Sequence, residues 1–153
     1  MESIFEKDQL LNEKKGREIM EQENRIICRR LHRGDDLLIE IKKLAENEKL
    51  KAAVVLSAVG CVSKGRVRDA SGIHMQDISE DCEIVSLNGT VSAVRTHLHI
   101  ALSKEDLSTV GGHLVEGCII NTTCELVLQE LSGWEYGLEQ DDETGYDEIL
   151  FQK

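Results

Sequence analysis

Several features that define common protein classes are missing from this sequence. There is no proline, and aromatic residues make up only 3% of the 153 residues. The few rings leave a core of Val, Ile, Leu and Ala, and too little stacking surface for single-stranded nucleic acid. No apolar run approaches the roughly 20 residues that span a bilayer. A single soluble domain with an aliphatic core is therefore expected.

Basic residues are also few, with 18 Lys and Arg against 29 Asp and Glu and a formal net charge of −11. Such an excess of negative charge repels polyanions at long range, whereas nucleic-acid binding usually needs a basic face. A local basic patch could form only from scattered arginines in an oligomer. These are Arg29, Arg30, Arg66 and Arg68.

Cysteine spacing and the first residues of the chain bear on the compartment. The five cysteines are an odd number and include no C-x-x-C pair. The printed chain opens without the basic and then apolar pattern of a signal peptide. We expect a reducing cytoplasm, in which all five thiols are small and buried. They are Cys28, Cys61, Cys82, Cys118 and Cys124.

Motifs for nucleotide binding and for serine hydrolysis are absent as well. Gly111-Gly112 does not open a helix in a phosphate-binding pattern, and no nucleophile elbow surrounds Ser57 or Cys61. The glycine pair has a structural interpretation instead, because glycine lets the backbone turn or pass close to another strand.

The hydrophobic pattern predicts one helix and about seven strands. Asp35 or Asp36 is suited to cap a helix that carries apolar residues at helical spacing and ends near Lys49. Strands are predicted at 25–31, 52–59, 63–68, 83–93, 96–103, 116–130 and 146–152. Gly60 is expected to end the second strand, and Asn88-Gly89 is either a hairpin turn or a bulge in a long strand.

The remaining segments are predicted to be less regular. Residues 71–81 form a polar connection or a weak strand, and residues 132–145 an acidic loop. Residues 1–24 are an N-terminal tail or short helix, and residues 25–153 are the single domain. Runs of strands with a segregated helix indicate an α+β fold.

Three of the five histidines fall within 17 residues, at His97, His99 and His113. On a strand, alternate side chains share a face, so His97 and His99 lie opposite an apolar face formed by Leu98, Ile100 and Leu102. The other two histidines, at positions 32 and 74, occupy polar loops and are expected to be ordinary surface residues.

Neutral imidazole is a common ligand of zinc and similar ions. Three imidazoles leave a fourth position for water or substrate, as in catalytic zinc sites. Glu105, Glu116 and Glu125 are the carboxylates that could orient a ligand, with Glu116 and Glu125 the candidate bases. The spacing alone leaves a second interpretation open, namely structural or interface histidines.

Six segments resemble the PPC domain, the plants and prokaryotes conserved domain, in the order of that family. They are RLHRGDDL at 30–37, SAVG at 57–60, EIVSLNG at 83–89, HLHIALS at 97–103, GGHLVEG at 111–117 and TTCEL at 122–126. The resemblance covers about residues 25–151. It implies an α+β domain with a mostly antiparallel sheet that assembles as a homotrimer.

The resemblance also bears on function. Some members hold a metal near a subunit boundary, which favours a metal site, zinc by ligand type, at the three histidines. The family carries a provisional DNA-binding label, but the plant members contact DNA through a proline-flanked Arg-Gly-Arg AT-hook that this chain lacks. The plant segment that binds transcription factors is only partly matched here. The corresponding residues are Glu80, Asp81, Cys82, Glu83, Ile84 and Val85.

These observations favour a stand-alone homotrimeric binding or regulatory protein with a histidine metal site at or near the subunit interface. The alternative is a metal-dependent hydrolase or lyase that acts on a small polar substrate. A cupin is a related possibility, although the second cupin motif, with its proline, is missing. DNA remains a partner by family label alone, and a small molecule or a protein is the other candidate partner.

Overall fold

The computed structural model describes residues 25–153, so the predicted N-terminal tail lies outside the described residues. Within that range there are one helix, α1, and nine strands. In chain order they are β1 (Ile26–His32), α1 (Leu37–Asn47), β2 (Ala53–Arg68), β3 (Met75–Ile78), β4 (Cys82–Val91), β5 (Thr96–Ser103), β6 (Thr109–Leu114), β7 (Ile119–Glu130), β8 (Glu135–Gln140) and β9 (Asp147–Gln152). The predicted α+β class is confirmed.

Seven of the strands form one antiparallel sheet. Its order is β1-β7-β2-β4-β5-β6, with β3 paired to β2 and a further pairing of β2 with β6. Because β2 contacts β4 along one part and β6 at its end, strands β2, β4, β5 and β6 close into a ring. Strands β8 and β9 form a separate hairpin.

Helix α1 begins where the sequence predicted. The Asp36 carboxylate accepts hydrogen bonds from the backbone N–H groups of Leu38 and Ile39, at 3.1 and 3.2 Å. These bonds satisfy amides that the first turn leaves without partners. The other Asp36 oxygen accepts from the Gly117 N–H at 2.6 Å, which ties the helix start to the segment after β6. The apolar stripe of the helix is buried in the core.

Strand β2 does not end at Gly60 as predicted. It runs unbroken for 16 residues, and its register with β7 shifts between Val55 and Ser57, between Gly60 and Val62, and between Val62 and Lys64. Gly60 has φ of 155°, and a Cβ there would overlap the Thr123 carbonyl of β7. The glycine therefore marks a close approach of two strands and not a turn.

Strand β4 passes through Asn88-Gly89 without a turn, so the hairpin interpretation is wrong. The register shift with β5 falls between Ile84 and Ser86 and not at Gly89. This bulge reverses the alternation, so that Val85 is 59% exposed while Leu87 is buried. Simple alternation along 83–93 would place Val85 on the buried face with Leu87, and the bulge is the reason that it does not lie there.

The predicted acidic loop contains strand β8. Tyr136 anchors this strand, because its side chain is buried and its backbone N–H donates to the Lys51 carbonyl at 3.1 Å. Burial of one aromatic ring is enough to hold a short hairpin whose other residues are mostly polar.

The cysteine prediction is confirmed in part. Cys82, Cys118 and Cys124 are free and buried, whereas Cys61 is half-buried and Cys28 is exposed on β1. Both exceptions lie on strands at positions whose side chains face away from the apolar core. No helix within residues 25–153 is long and apolar enough to cross a membrane.

Candidate metal centre

The two faces of β5 differ as predicted. Leu98, Ile100 and Leu102 are buried, while His97 is half-buried and His99 is exposed. Alternation along the strand therefore places both imidazoles on the side away from the core.

Strand β6 brings the third histidine to the same face, since His113 lies directly opposite His99 in the β5–β6 register. The two preceding glycines allow this fit. A Cβ at Gly111 would overlap the Ile100 carbonyl, and one at Gly112 would overlap the Arg68 carbonyl. The glycine pair thus lets β6 lie tightly between β5 and β2, as the sequence suggested.

A row of polar side chains crosses four strands at this point. Asn88 on β4 pairs with His99, His99 with His113, and His113 with Arg68 on β2. Residues opposite each other in an antiparallel ladder share a face of the sheet. His97 extends the row by one pair, opposite Thr90.

The three imidazoles converge within one chain. Their ring centroids are 5.2 Å apart for His97 and His99, 5.0 Å for His97 and His113, and 5.6 Å for His99 and His113. One nitrogen from each ring can be chosen so that all three lie within 4.8 Å of one another. Within residues 25–153 this is the cluster of histidine, cysteine and carboxylate groups that meets the geometry of a metal site.

Two of the rings are held in the neutral form that binds metals. Burial, reinforced by the positive charge of Arg68, lowers the pKa of His113 to about 4. Burial and then Arg95 lower the pKa of His97. The Nδ1 atom of His113 is buried and has no hydrogen-bond partner among residues 25–153. A coordinating ion is one group that would satisfy such a nitrogen.

Arg95 and Glu148 are site residues that the sequence analysis missed. Arg95 Nη2 lies 3.3 Å from His97 Nδ1, and because a guanidinium only donates, that nitrogen accepts. Arg95 Nη2 is also 3.8 Å from a Glu148 carboxylate oxygen on β9. Arg95 comes two residues before His97, and this spacing was a local signal that the two side chains lie on one face. Glu148 reaches the site only through the fold of the C-terminal hairpin.

The structure places the predicted carboxylates elsewhere. Glu116 is exposed and pairs with Lys42 of α1 at 3.0 Å, although it lines one cavity together with His113. Glu125 lies on β7, opposite Arg30 of β1 and Val59 of β2. Glu105 lies in the turn after β5, at the end of that strand remote from His97.

The predicted partner segment, residues 80–85, leads into and begins β4. Cys82 and Ile84 are buried, and Glu80 pairs with Lys104 at 2.7 Å. Val85 is the apolar residue of this segment that is exposed. His32 and His74 are exposed in or beside turns, as expected.

Residues 19–132 match the Plants and Prokaryotes Conserved (PCC) domain, the family abbreviated PPC above. The chain belongs to this family. Two curated relatives from Synechococcus strains are both named bifunctional protein GlmU. They are 39% identical over 125 residues and 37% identical over 129 residues, which is 80% and 84% of this chain. The chain spans only about a fifth of the length of these relatives, 20% and 21%.

Solved structures share the PCC fold. A hypothetical protein from Salmonella is 28% identical, with a TM-score of 0.82 over 85% of this chain and 94% of that one. A metal-containing protein from Archaeoglobus fulgidus is 29% identical, with a TM-score of 0.69 over 82% and 93%. A protein from Bacteroides thetaiotaomicron with a provisional DNA-binding name is 16% identical, with a TM-score of 0.71 over 86% and 98%, and shows the fold alone.

Proposed function

We propose that this PCC-domain protein is a homotrimeric binding or regulatory protein that holds a divalent transition metal at His97, His99 and His113. The observation that carries the proposal is the convergence of three imidazole nitrogens to within 4.8 Å. Zinc is the favoured ion by ligand type. The structural neighbour from Archaeoglobus fulgidus, at 29% identity, is a metal-containing protein, which supports a bound metal in this fold without naming the ion or its ligands.

The residues fit such an ion with small movements. Ligand nitrogens of a tetrahedral zinc lie about 3.3 Å apart, given zinc–nitrogen bonds of about 2.0–2.1 Å. The rings therefore need to close by roughly an ångström or more, which side-chain rotation on a fixed sheet provides. Because Arg95 donates to His97, binding also requires that guanidinium to leave the ring, and Glu148 lies within its reach. A bound zinc would supply a Lewis acid and an open fourth position.

Exposed apolar residues support self-association. Val59 on β2 and Val85 on β4 are 58% and 59% exposed, and these strands are neighbours in the sheet. Leu56 of β2 adds a third side chain at 52%. Apolar side chains grouped on neighbouring strands are typical of a surface that is covered in an assembly. Light scattering on a sizing column should give the mass of three chains, and a monomer mass would contradict the proposed trimer.

The arginines proposed for DNA are largely occupied elsewhere. Arg29 lies 3.7 Å from a Glu48 carboxylate and Arg66 lies 3.7 Å from Asp77. Arg68 faces the imidazoles. We therefore do not propose that these arginines bind the phosphate backbone of DNA. Tight binding to duplex DNA that weakens steeply with salt would reverse this judgement.

The enzyme alternative gains a different carboxylate. Glu148 lines a cavity together with His97 and His113, whereas Glu116 is paired with Lys42 and Glu125 lies on β7. If a metal were held there, Glu148 is a carboxylate of this cavity that could serve as a base toward a bound water. Turnover that requires zinc and falls in Glu148→Gln would favour this alternative over simple binding.

Metal analysis tests the proposal. Protein purified without a histidine tag and dialysed against zinc should hold about one zinc per chain, because each chain has one cluster with three nitrogen donors. His97→Ala and His113→Ala should each abolish uptake. His74→Ala, which removes an exposed histidine outside the cluster, is the matched control and should bind normally. Stoichiometric zinc in either cluster variant, or no uptake by the natural chain, would refute the site.

A further inference from the structure

A second feature of the same region does not require a bound metal. Arg68 and Arg95 both border a cavity of about 310 Å³ beside His97 and His113. The Nε of Arg68 and the Nη1 of Arg95 are buried and have no hydrogen-bond partner among residues 25–153. A buried N–H without a partner costs free energy, and more so when it belongs to a charged group.

The charges around the cavity are unbalanced. Among residues 25–153, Arg95 has one acidic ion-pair neighbour, Glu148, at 3.8 Å, while its side chain is only 20% exposed. Arg68 has no ion-pair partner within residues 25–153. Two guanidinium groups beside one cavity repel each other, and an anion between them would offset that repulsion.

We propose that Arg68 and Arg95 form an oxyanion site for a small molecule that carries a carboxylate or phosphate group. Guanidinium groups match the geometry of both kinds of group, since each presents several donors in a plane. A volume near 310 Å³ is at the lower end for ligand cavities, which favours a small metabolite over a polymer.

The first residues of β9 and the residue before it supply the other wall. Tyr146 and Glu148 border the cavity, and Glu148 is the group that competes with the ligand for Arg95. An incoming oxyanion would take over Arg95 donors, and a turn of the guanidinium toward the cavity would bring the buried Nη1 into reach. Both residues lie beyond the 19–132 match to the family, so selectivity toward the ligand would reside in this C-terminal hairpin.

The site is tested by calorimetric titration of the whole chain with inorganic phosphate and, separately, with malonate, at constant ionic strength. Chelator-treated protein is used, so the result is distinct from that of the metal proposal. We expect saturable binding of one anion per chain for at least one probe. Arg68→Gln and Arg95→Gln should each weaken it about tenfold or more, the usual effect of removing a hydrogen bond to a charged group.

Four further variants sharpen the test. Arg29→Gln removes the same charge from exposed β1 and should leave binding unchanged. Arg95→Lys keeps the positive charge but loses the planar set of guanidinium donors, so it should weaken anion binding less than Arg95→Gln. This graded result would show that the loss in Arg95→Gln is not caused by unfolding. Glu148→Gln should tighten binding up to about fivefold by freeing Arg95, whereas Glu143→Gln, in the exposed turn of the same hairpin, should not.

Several outcomes would overturn the proposal. These are no saturable binding of either probe, equal binding in Arg68→Gln, or binding that appears only with zinc and survives both glutamine variants. Duplex DNA that binds through Arg68 while phosphate does not would assign the arginines to nucleic acid. Loss of assembly in Arg68→Gln without anion binding would assign them to a contact between chains.

Discussion

The two faces of β5 have the same backbone and opposite chemistry. One face inserts Leu98, Ile100 and Leu102 into an aliphatic core, with exposures of 1%, 3% and 0%. The other presents His97 and His99 toward His113. The apolar face holds the strand in place, and the imidazole face, which contributes little packing, is free to bind. Substitutions on the two faces should therefore separate stability from ligand binding.

The largest effect is expected on the apolar face. Leu102→Ala removes a fully buried side chain and should lower the free energy of unfolding by about 2–5 kcal/mol. Urea denaturation measures it. Variant protein that remains folded should still bind zinc, because the imidazoles are on the opposite face. A loss below about 1 kcal/mol, less than a buried leucine costs, would mean that this face is not the core.

On the imidazole face a substitution should affect zinc binding strongly and stability little. Loss of a residue that only hydrogen-bonds to a metal ligand typically weakens metal binding about 10- to 100-fold. His113→Asn removes a ligand itself and should weaken zinc binding by more than that. The metal-free variant should keep nearly the stability of the natural protein. Saturating zinc stabilises the natural protein by mass action and should raise its melting temperature. Calorimetry with and without zinc should find that rise absent in the variant. An undiminished rise would show that zinc binds elsewhere.

Much of this comparison was predictable, because it depends on local periodicity. The alternation of β5 and the cap at Asp36 are read from residues close in the chain. The glycine pair Gly111-Gly112 indicated that this segment packs closely against another strand. It did not indicate which strand, so the approach of His113 to His97 and His99 was only partly predictable.

The missed features depend on distant packing. Gly60 appeared to end a strand because the Thr123 backbone that requires it is 63 residues away in the chain. Arg68 and Glu148 reach the site through β2 and β9, which no spacing near the histidines reveals. Strand β8 was hidden because one buried ring, Tyr136, holds a segment that is otherwise acidic.

Acid titration should give a smaller effect on the imidazole face. His113 has a folded pKa of about 4 against an ordinary value of 6.5, so the unfolded chain binds more protons between those values. Metal-free protein should therefore lose stability as pH falls from about 6.5 to 4, with a slope approaching one proton. His113→Asn should flatten the slope in unfolding experiments across this range. An unchanged slope would mean that other groups carry it.

The smallest expected effect is a difference in reactivity between two thiols, one on β1 and one on β7. Cys28 is exposed, whereas Cys124 is fully buried and burial raises its pKa to about 11. A thiol reagent at pH 8 should modify Cys28 first and leave Cys124 intact without denaturant. Mass spectrometry of digested protein reads out the sites. Early modification of Cys124 would show that β7 opens readily.

X-ray absorption at the zinc edge tests the central claim most directly. Tag-free, zinc-loaded protein should show three imidazole nitrogens at about 2.0–2.1 Å and no sulfur neighbour. His99→Ala should reduce the imidazole count to two or abolish loading. Sulfur at about 2.3 Å, or an unchanged spectrum in His99→Ala, would contradict a metal centre built on His97, His99 and His113.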